Sequence, residues 1–154
     1  MLCLLLSIGG IATCEAQGKS SDRAVRDDRK ISVEYMSSLN GMAYCMDRGP
    51  LAFVRVGLSE IDHAATTAHE KKHIEQYTRY PTCTLFYRWY TTPVGTLETE
   101  AEAFAAGWCV AAKMGADTVS YRSWILQSLT QRYVPGTPIY EAARVFAKYA
   151  KCKE

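Results

Sequence analysis

The stretch His69-Glu70-Lys71-Lys72-His73 lies inside a proline-free segment that runs from Ser59 to Tyr80 and is closed by Pro81. Ser59-x-x-Asp62 opens the segment as a variant capping box, and the proline after Tyr80 disfavours helix beyond it. The spacing therefore predicts one long helix carrying the pattern H-E-x-x-H. Histidines four apart differ by about 40° around a helix axis, so both imidazoles share one face. That arrangement offers two nitrogens to one tetrahedral cation. Glu70 occupies the adjacent edge of the same face, close enough to act on a water held there and offset enough not to be a ligand. The chain has only 3 histidines, and two of them make this pair. The remaining one, His63, falls on a different face and reads as a surface or capping histidine.

An open, reactive cation site takes three protein ligands, so a third donor is required. The residue three after His73 is Gln76, which excludes the pattern H-E-x-x-H-x-x-G-x-x-H. An acidic cluster follows instead, Glu98-Thr99-Glu100-Ala101-Glu102. Glu98 and Glu102 are i,i+4 and share a helix face, and Glu100 lies between them. Spacing alone leaves the choice of donor within this cluster open. Carboxylates at the start of a helix also favour its dipole without any metal.

Taken in order, H-E-x-x-H and the later run E-x-x-A-E-x-F-A-A (Glu98 to Ala106) resemble the catalytic core of gluzincin zinc metallopeptidases. The second run is similar to the second helix of ImmA/IrrE-type peptidases and of membrane gluzincins with an E-x-x-A-D motif. The resemblance spans residues 59 to 107, about a third of the chain. It implies Zn²⁺ held by His69, His73 and Glu98, with Glu102 supporting a ligand histidine through a hydrogen bond. It also implies peptide-bond hydrolysis with Glu70 as general base and a peptide or protein as substrate. The sequence departs from the family in having Glu102 where Asp or Asn is usual. The alternative is a non-catalytic zinc-binding or disulfide-held interaction domain on the same scaffold.

Gln76 and Tyr80 continue the histidine face; they either line a cleft or pack on the next helix. Peptide hydrolysis also needs a donor for the developing oxyanion. Among the 10 tyrosines, Tyr121 and Tyr133 lie where a later helix brings one in.

Residues 1–16, MLCLLLSIGGIATCEA, read as a secretory signal peptide, apolar and then small-residue-rich. No basic residue opens the run, which leaves room for a longer signal. Cleavage after Ala16 gives a free domain; a lipid anchor on Cys14 is the less favoured exit, because Thr13 suits a lipobox poorly. Residues 17–30 mix both charges with Ser and Gly and are expected to be a mobile leader. The expected location is exported, periplasmic or extracellular. Beyond Cys3 and Cys14, the chain carries Cys45, Cys83, Cys109 and Cys152. Four cysteines in an exported domain point to two disulfides with three alternative connectivities. A formal charge of +2 argues against a nucleic-acid partner, and no stretch is long enough to span a membrane.

For residues 31–154 the pattern predicts an α+β, predominantly helical, minimal zincin-like domain with a short strand or small sheet beside the H-E-x-x-H helix. Ile31 to Met46 has helical spacing, and Leu51 to Val56 is β-rich. Thr82 to Thr92 fits either helix or strand. Pro93-Val94-Gly95 reads as a turn before the Glu98 helix, which is capped at Thr96 or Thr99 and stops at Gly115. Two further helices are expected, from Asp117 to Tyr133 and from Pro138 to Lys151.

Overall fold

The computed structural model describes residues 40–46 and 49–152. The signal segment 1–16, the leader 17–30, Cys14 and residues 31–39 lie outside the described residues. The order of elements is β1 (Gly41–Tyr44), β2 (Leu51–Val54), α1 (Glu60–Tyr77), α2 (Cys83–Tyr90), α3 (Pro93–Lys113), α4 (Thr118–Ser128) and α5 (Ile139–Tyr149). Leu129–Tyr133 continue α4 as one π-helical turn. Among the described residues, five helices and a small two-stranded sheet make this α+β and mostly helical, as the pattern predicted.

α1 begins where the capping residues placed it. The Ser59 hydroxyl accepts from the Asp62 N–H at 3.1 Å and donates to the Asp62 carboxylate at 2.7 Å. Thr82 to Thr92 resolves as helix α2, with Thr82 as its N-cap. The Pro93-Val94-Gly95 turn is instead the first turn of α3. Thr92 caps that helix by accepting from Gly95 N–H at 2.9 Å, and Pro93 takes the position where a missing N–H costs nothing. α3 ends before Gly115, whose φ of +86° is the left-handed conformation that stops helices.

Residues 41–44 are a strand, not the end of a helix. Backbone pairing overrides the helical spacing here: Gly41 pairs with Val54 and Tyr44 with Leu51 in an antiparallel ladder. The strand also needs a glycine. A Cβ on Gly41 would sit 2.6 Å from Thr66 Cγ2 and 2.7 Å from Glu70 Oε1, so β1 lies directly on α1. The Tyr77 hydroxyl fastens the far end by donating to the Ala43 carbonyl at 2.8 Å.

The main apolar core joins α3 to α4, the π turn and α5. Ala101, Ile125, Leu129 and Ala142 are fully buried in it, with Phe146 almost so. α1 packs on the opposite side of α3, its most extensive partner. Two disulfides close the structure, Cys45–Cys83 and Cys109–Cys152, with Cα atoms 5.4 and 5.3 Å apart. They resolve the three connectivities to one. The first ties the end of β1 to the start of α2; the second ties α3 to the residues after α5. Closing loops of 38 and 43 residues stabilises each by about 4 kcal/mol in the chain-entropy account. Paired cysteines fit an oxidising compartment. Among the described residues, no helix is long and apolar enough to cross a membrane.

Candidate metal centre

His69 and His73 face α3 from the middle of α1. Their Nε2 atoms are 3.1 Å apart, and both side chains are buried. Glu100 enters from α3 and is 2% exposed. Its Oε2 lies 3.5 Å from His69 Nε2, and its Oε1 lies 3.7 Å from His73 Nε2. Among the described residues these three form the group able to hold a metal ion, with donor atoms within 4.8 Å of one another.

The carboxylate grouped with the two histidines is therefore that of Glu100 and not that of Glu98. Glu98 lies two residues away, about 200° around the helix. It turns to α5, where its carboxylate accepts from Lys148 Nζ at 2.9 Å and from the Tyr149 hydroxyl. The residue four beyond the donor is then Phe104. It supplies no hydrogen bond and packs its ring on His69 with centroids 4.5 Å apart.

Glu102 supports a histidine, but one residue removed. Gln76 Nε2 donates to the Glu102 carboxylate at 3.0 Å and to the Thr99 carbonyl at 2.9 Å. With its NH₂ so engaged, Gln76 presents Oε1 to His73 Nδ1, 2.8 Å away. Nδ1 must then carry the proton, which leaves the Nε2 lone pair free for a cation. Arg79 anchors the chain by gripping both Glu102 oxygens at 2.8 and 2.6 Å. Gln76 is thus buried behind His73 and borders neither of the two cavities beside the histidine pair. Tyr80 borders neither of them either; it follows the end of α1 and meets the Phe86 ring edge-on at 5.5 Å. His63 is exposed and takes no part, as its helix face predicted.

The donor set fits a zinc ion. Two buried carboxylate oxygens, Glu70 Oε2 and Glu100 Oε2, have no hydrogen-bond partner. Unpaired buried oxygens are costly, and a cation beside the histidine pair would satisfy Glu100 Oε2. Tetrahedral ligands roughly 2.0–2.1 Å from zinc stand about 3.3 Å from one another. The two edges His69 makes, 3.1 Å to His73 and 3.5 Å to Glu100, bracket that value. Two nitrogens and one oxygen match the preference of zinc for mixed donors and leave a fourth position open.

Protonation states agree with metal binding. Burial pushes His73 below its ordinary value, toward the neutral imidazole a metal requires. Burial alone raises the Glu100 carboxyl, but His69, His73 and the Tyr90 hydroxyl outweigh it and hold the group below the usual range. Glu70 behaves oppositely. Burial, with a further push from the Glu100 charge and some relief from His69, raises it from 4.5 to about 7.

Two cavities of about 510 and 380 Å³ open on either side of this group. Both are lined by Gly41, His69, Glu70, Arg132 and Tyr133, so the cleft runs past Glu70 in two directions. The larger continues between α1 and α4, past Tyr121 and Trp124. The smaller continues under β1 and α2, past Met42, Tyr77 and Tyr90. The π turn delivers Arg132 and Tyr133 to the junction; it is closed by the Val134 N–H donating to the Leu129 carbonyl at 2.9 Å. Of the two tyrosines singled out by sequence, Tyr133 borders both cavities and Tyr121 only the larger.

The sequence did not single out Arg132, Tyr90 or Gly41. A small-residue stripe was available as a signal for Glu100. Gly107 and Ala103 lie seven and three residues beyond it, on the face turned to α1. The chain matches no protein-family model, no curated protein and no solved structure, so its reading rests on this arrangement of its own residues.

Proposed function

We propose that this protein is an exported zinc-dependent metallopeptidase. The observation that carries the reading is the buried His69–His73–Glu100 group beside Glu70, placed where the two arms of an open cleft meet. A site with only a structural role has no use for a titratable carboxylate at the mouth of its open position. The two disulfides and the apolar N-terminal run support export.

His69 and His73, through Nε2, and Glu100 would hold the ion. Zinc bound there would supply a Lewis acid able to polarise a peptide carbonyl and to make a water acidic enough to attack near neutral pH. Glu70 takes the proton of that water and later delivers it to the leaving amine. A carboxyl raised to about 7 by its surroundings suits both halves of that transfer, since it accepts and returns a proton at little cost. Tyr133, which borders both cavities, is our candidate donor for the developing oxyanion. Burial and the nearby Glu100 charge push its hydroxyl well above the ordinary range, so it stays a neutral O–H donor. β1 lies on α1 at the cleft and offers a short strand against which an extended substrate can align.

The decisive experiment is Glu70→Gln. It should retain one zinc per chain and lose hydrolysis of an unfolded protein substrate by 10²-fold or more. Retained activity with zinc bound would refute Glu70 as the base. No zinc in the wild type would refute the metallopeptidase reading as a whole.

A further inference from the structure

Tyr90 touches the metal group without belonging to it. It is the last residue of α2, and its hydroxyl donates to Glu100 Oε1 at 2.8 Å. The other oxygen of the same carboxylate, Oε2, is buried, has no hydrogen-bond partner and lies 3.5 Å from His69 Nε2. Oε1 of Glu100 is therefore occupied by a protein donor while it stands 3.7 Å from His73 Nε2, and Oε2, with no such donor, stands nearest His69.

The tyrosine is held firmly enough to enforce that division. Its ring stacks on Phe86, with centroids 5.7 Å apart and planes 22° from parallel. The Thr96 hydroxyl donates to its carbonyl. The turn from α2 into α3 is too tight to let Tyr90 drift: a Cβ on Gly95 would fall 2.0 Å from the Trp89 carbonyl oxygen, and Thr92 Oγ1 donates to that same oxygen at 2.8 Å. The Cys45–Cys83 bridge pins the other end of α2 to β1.

We propose that Tyr90 is a positioning residue that makes Glu100 a one-oxygen ligand, holding Oε1 by hydrogen bond so that only Oε2 meets the metal. This rests on the metal reading above. A carboxylate bound through one oxygen keeps the coordination number low and preserves the open position that a water or substrate carbonyl must enter. Without the tyrosine hydroxyl, both oxygens of Glu100 are free to turn toward the ion.

The test uses the oxidised protein with zinc or cobalt(II) added after chelation. Tyr90→Phe keeps the ring on Phe86 and removes only the hydroxyl. Zinc affinity, measured by competition with a chromophoric chelator, should fall 10- to 100-fold, the usual cost of losing a hydrogen bond to a ligand. The visible absorption of the cobalt form should weaken as a second carboxylate oxygen enters, because cobalt(II) absorbs less strongly above four-coordination. Tyr149→Phe removes an equivalent hydroxyl from Glu98 and should change neither reading. Wild-type affinity together with a wild-type cobalt spectrum in Tyr90→Phe would overturn this proposal alone. Failure of the wild-type protein to bind either ion would overturn the metal reading and this proposal with it.

Discussion

Gly107 of α3 lies against Ala65 of α1 so closely that a Cβ on the glycine would sit 2.7 Å from the Ala65 carbonyl oxygen. Real side chains do not tolerate that approach. The two helices approach backbone to backbone here, and Ala103, one turn back, is fully buried on the way to Glu100. This closeness lets a glutamate, a short ligand on a separate helix, reach both histidines of α1. The fold and the grouping of Glu100 with the two histidines thus depend on the same contact.

Gly107→Val should therefore act on both. Overpacking of this kind costs about 1–3 kcal/mol, seen as a lower thermal midpoint of the metal-free protein. The same substitution should weaken zinc binding, because Glu100 is carried away from His69. A variant that loses stability but binds zinc as tightly as wild type would show that helix spacing does not set the site.

The ligand assignment makes a sharp contrast between neighbours. Glu100→Gln should abolish stoichiometric zinc binding, measured by elemental analysis after gel filtration. Glu98→Gln should retain about one ion per chain and lose only a surface contact with Lys148 and Tyr149. The pair Lys148–Glu98 is largely exposed and adds little to stability. The reverse pattern would restore Glu98 as the ligand.

How far the sequence reached can be judged from these residues. The α1 helix, its cap at Ser59, its paired histidines and the inward turn of Glu70 follow from local spacing, and they were legible. The choice between Glu98 and Glu100 was not, because it depends on which face of α3 meets α1. The motif E-x-x-A-E occurs as written, but its first glutamate faces α5. Packing by Gly107 and Ala103 selects the middle one. Strand Gly41–Tyr44 was missed for a related reason: its pairing with Leu51–Val54 and its seat on Glu70 are long-range contacts that helical spacing does not encode. Connectivity of the cysteines likewise needed the fold. The role of Gln76 combined both kinds of information. Its position three after His73 is local, but the Glu102 and Thr99 contacts that orient its amide come from α3.

That amide supports a further expectation. Gln76→Leu removes the acceptor that fixes the proton on His73 Nδ1 and leaves Glu102 with Arg79 alone. Zinc affinity should fall 10- to 100-fold, while His73 itself is still present. Competition with a calibrated chelator measures this directly. An unchanged affinity would mean that His73 needs no partner behind it.

Tyr133 separates binding from turnover. Tyr133→Phe should keep its zinc and its KM for a model peptide within a few-fold. Its kcat should fall by about 10²–10³, the usual loss when an oxyanion donor is removed. Tyr121→Phe, which changes only the wall of the larger cavity, should leave kcat nearly intact. If Tyr121→Phe carries the larger loss, the two roles are exchanged.

The raised carboxyl of Glu70 ties stability to pH in the metal-free protein. Its value is 4.5 when unfolded and about 7 when folded, so folding favours the protonated form. The stabilisation is fully present below about pH 4.5 and is lost as pH rises through 7, on the order of 3 kcal/mol in all. Gln at this position has no proton to lose. Urea unfolding of wild type and Glu70→Gln, with chelator present, should therefore give curves that diverge between pH 4.5 and 8, the variant gaining on wild type as pH rises. Added zinc should narrow the gap, because a cation beside Glu70 favours its ionised form. Parallel curves across this range would show that Glu70 titrates in the folded protein as it does in the unfolded chain, and the carboxylate would lose its claim to be a base tuned by its surroundings.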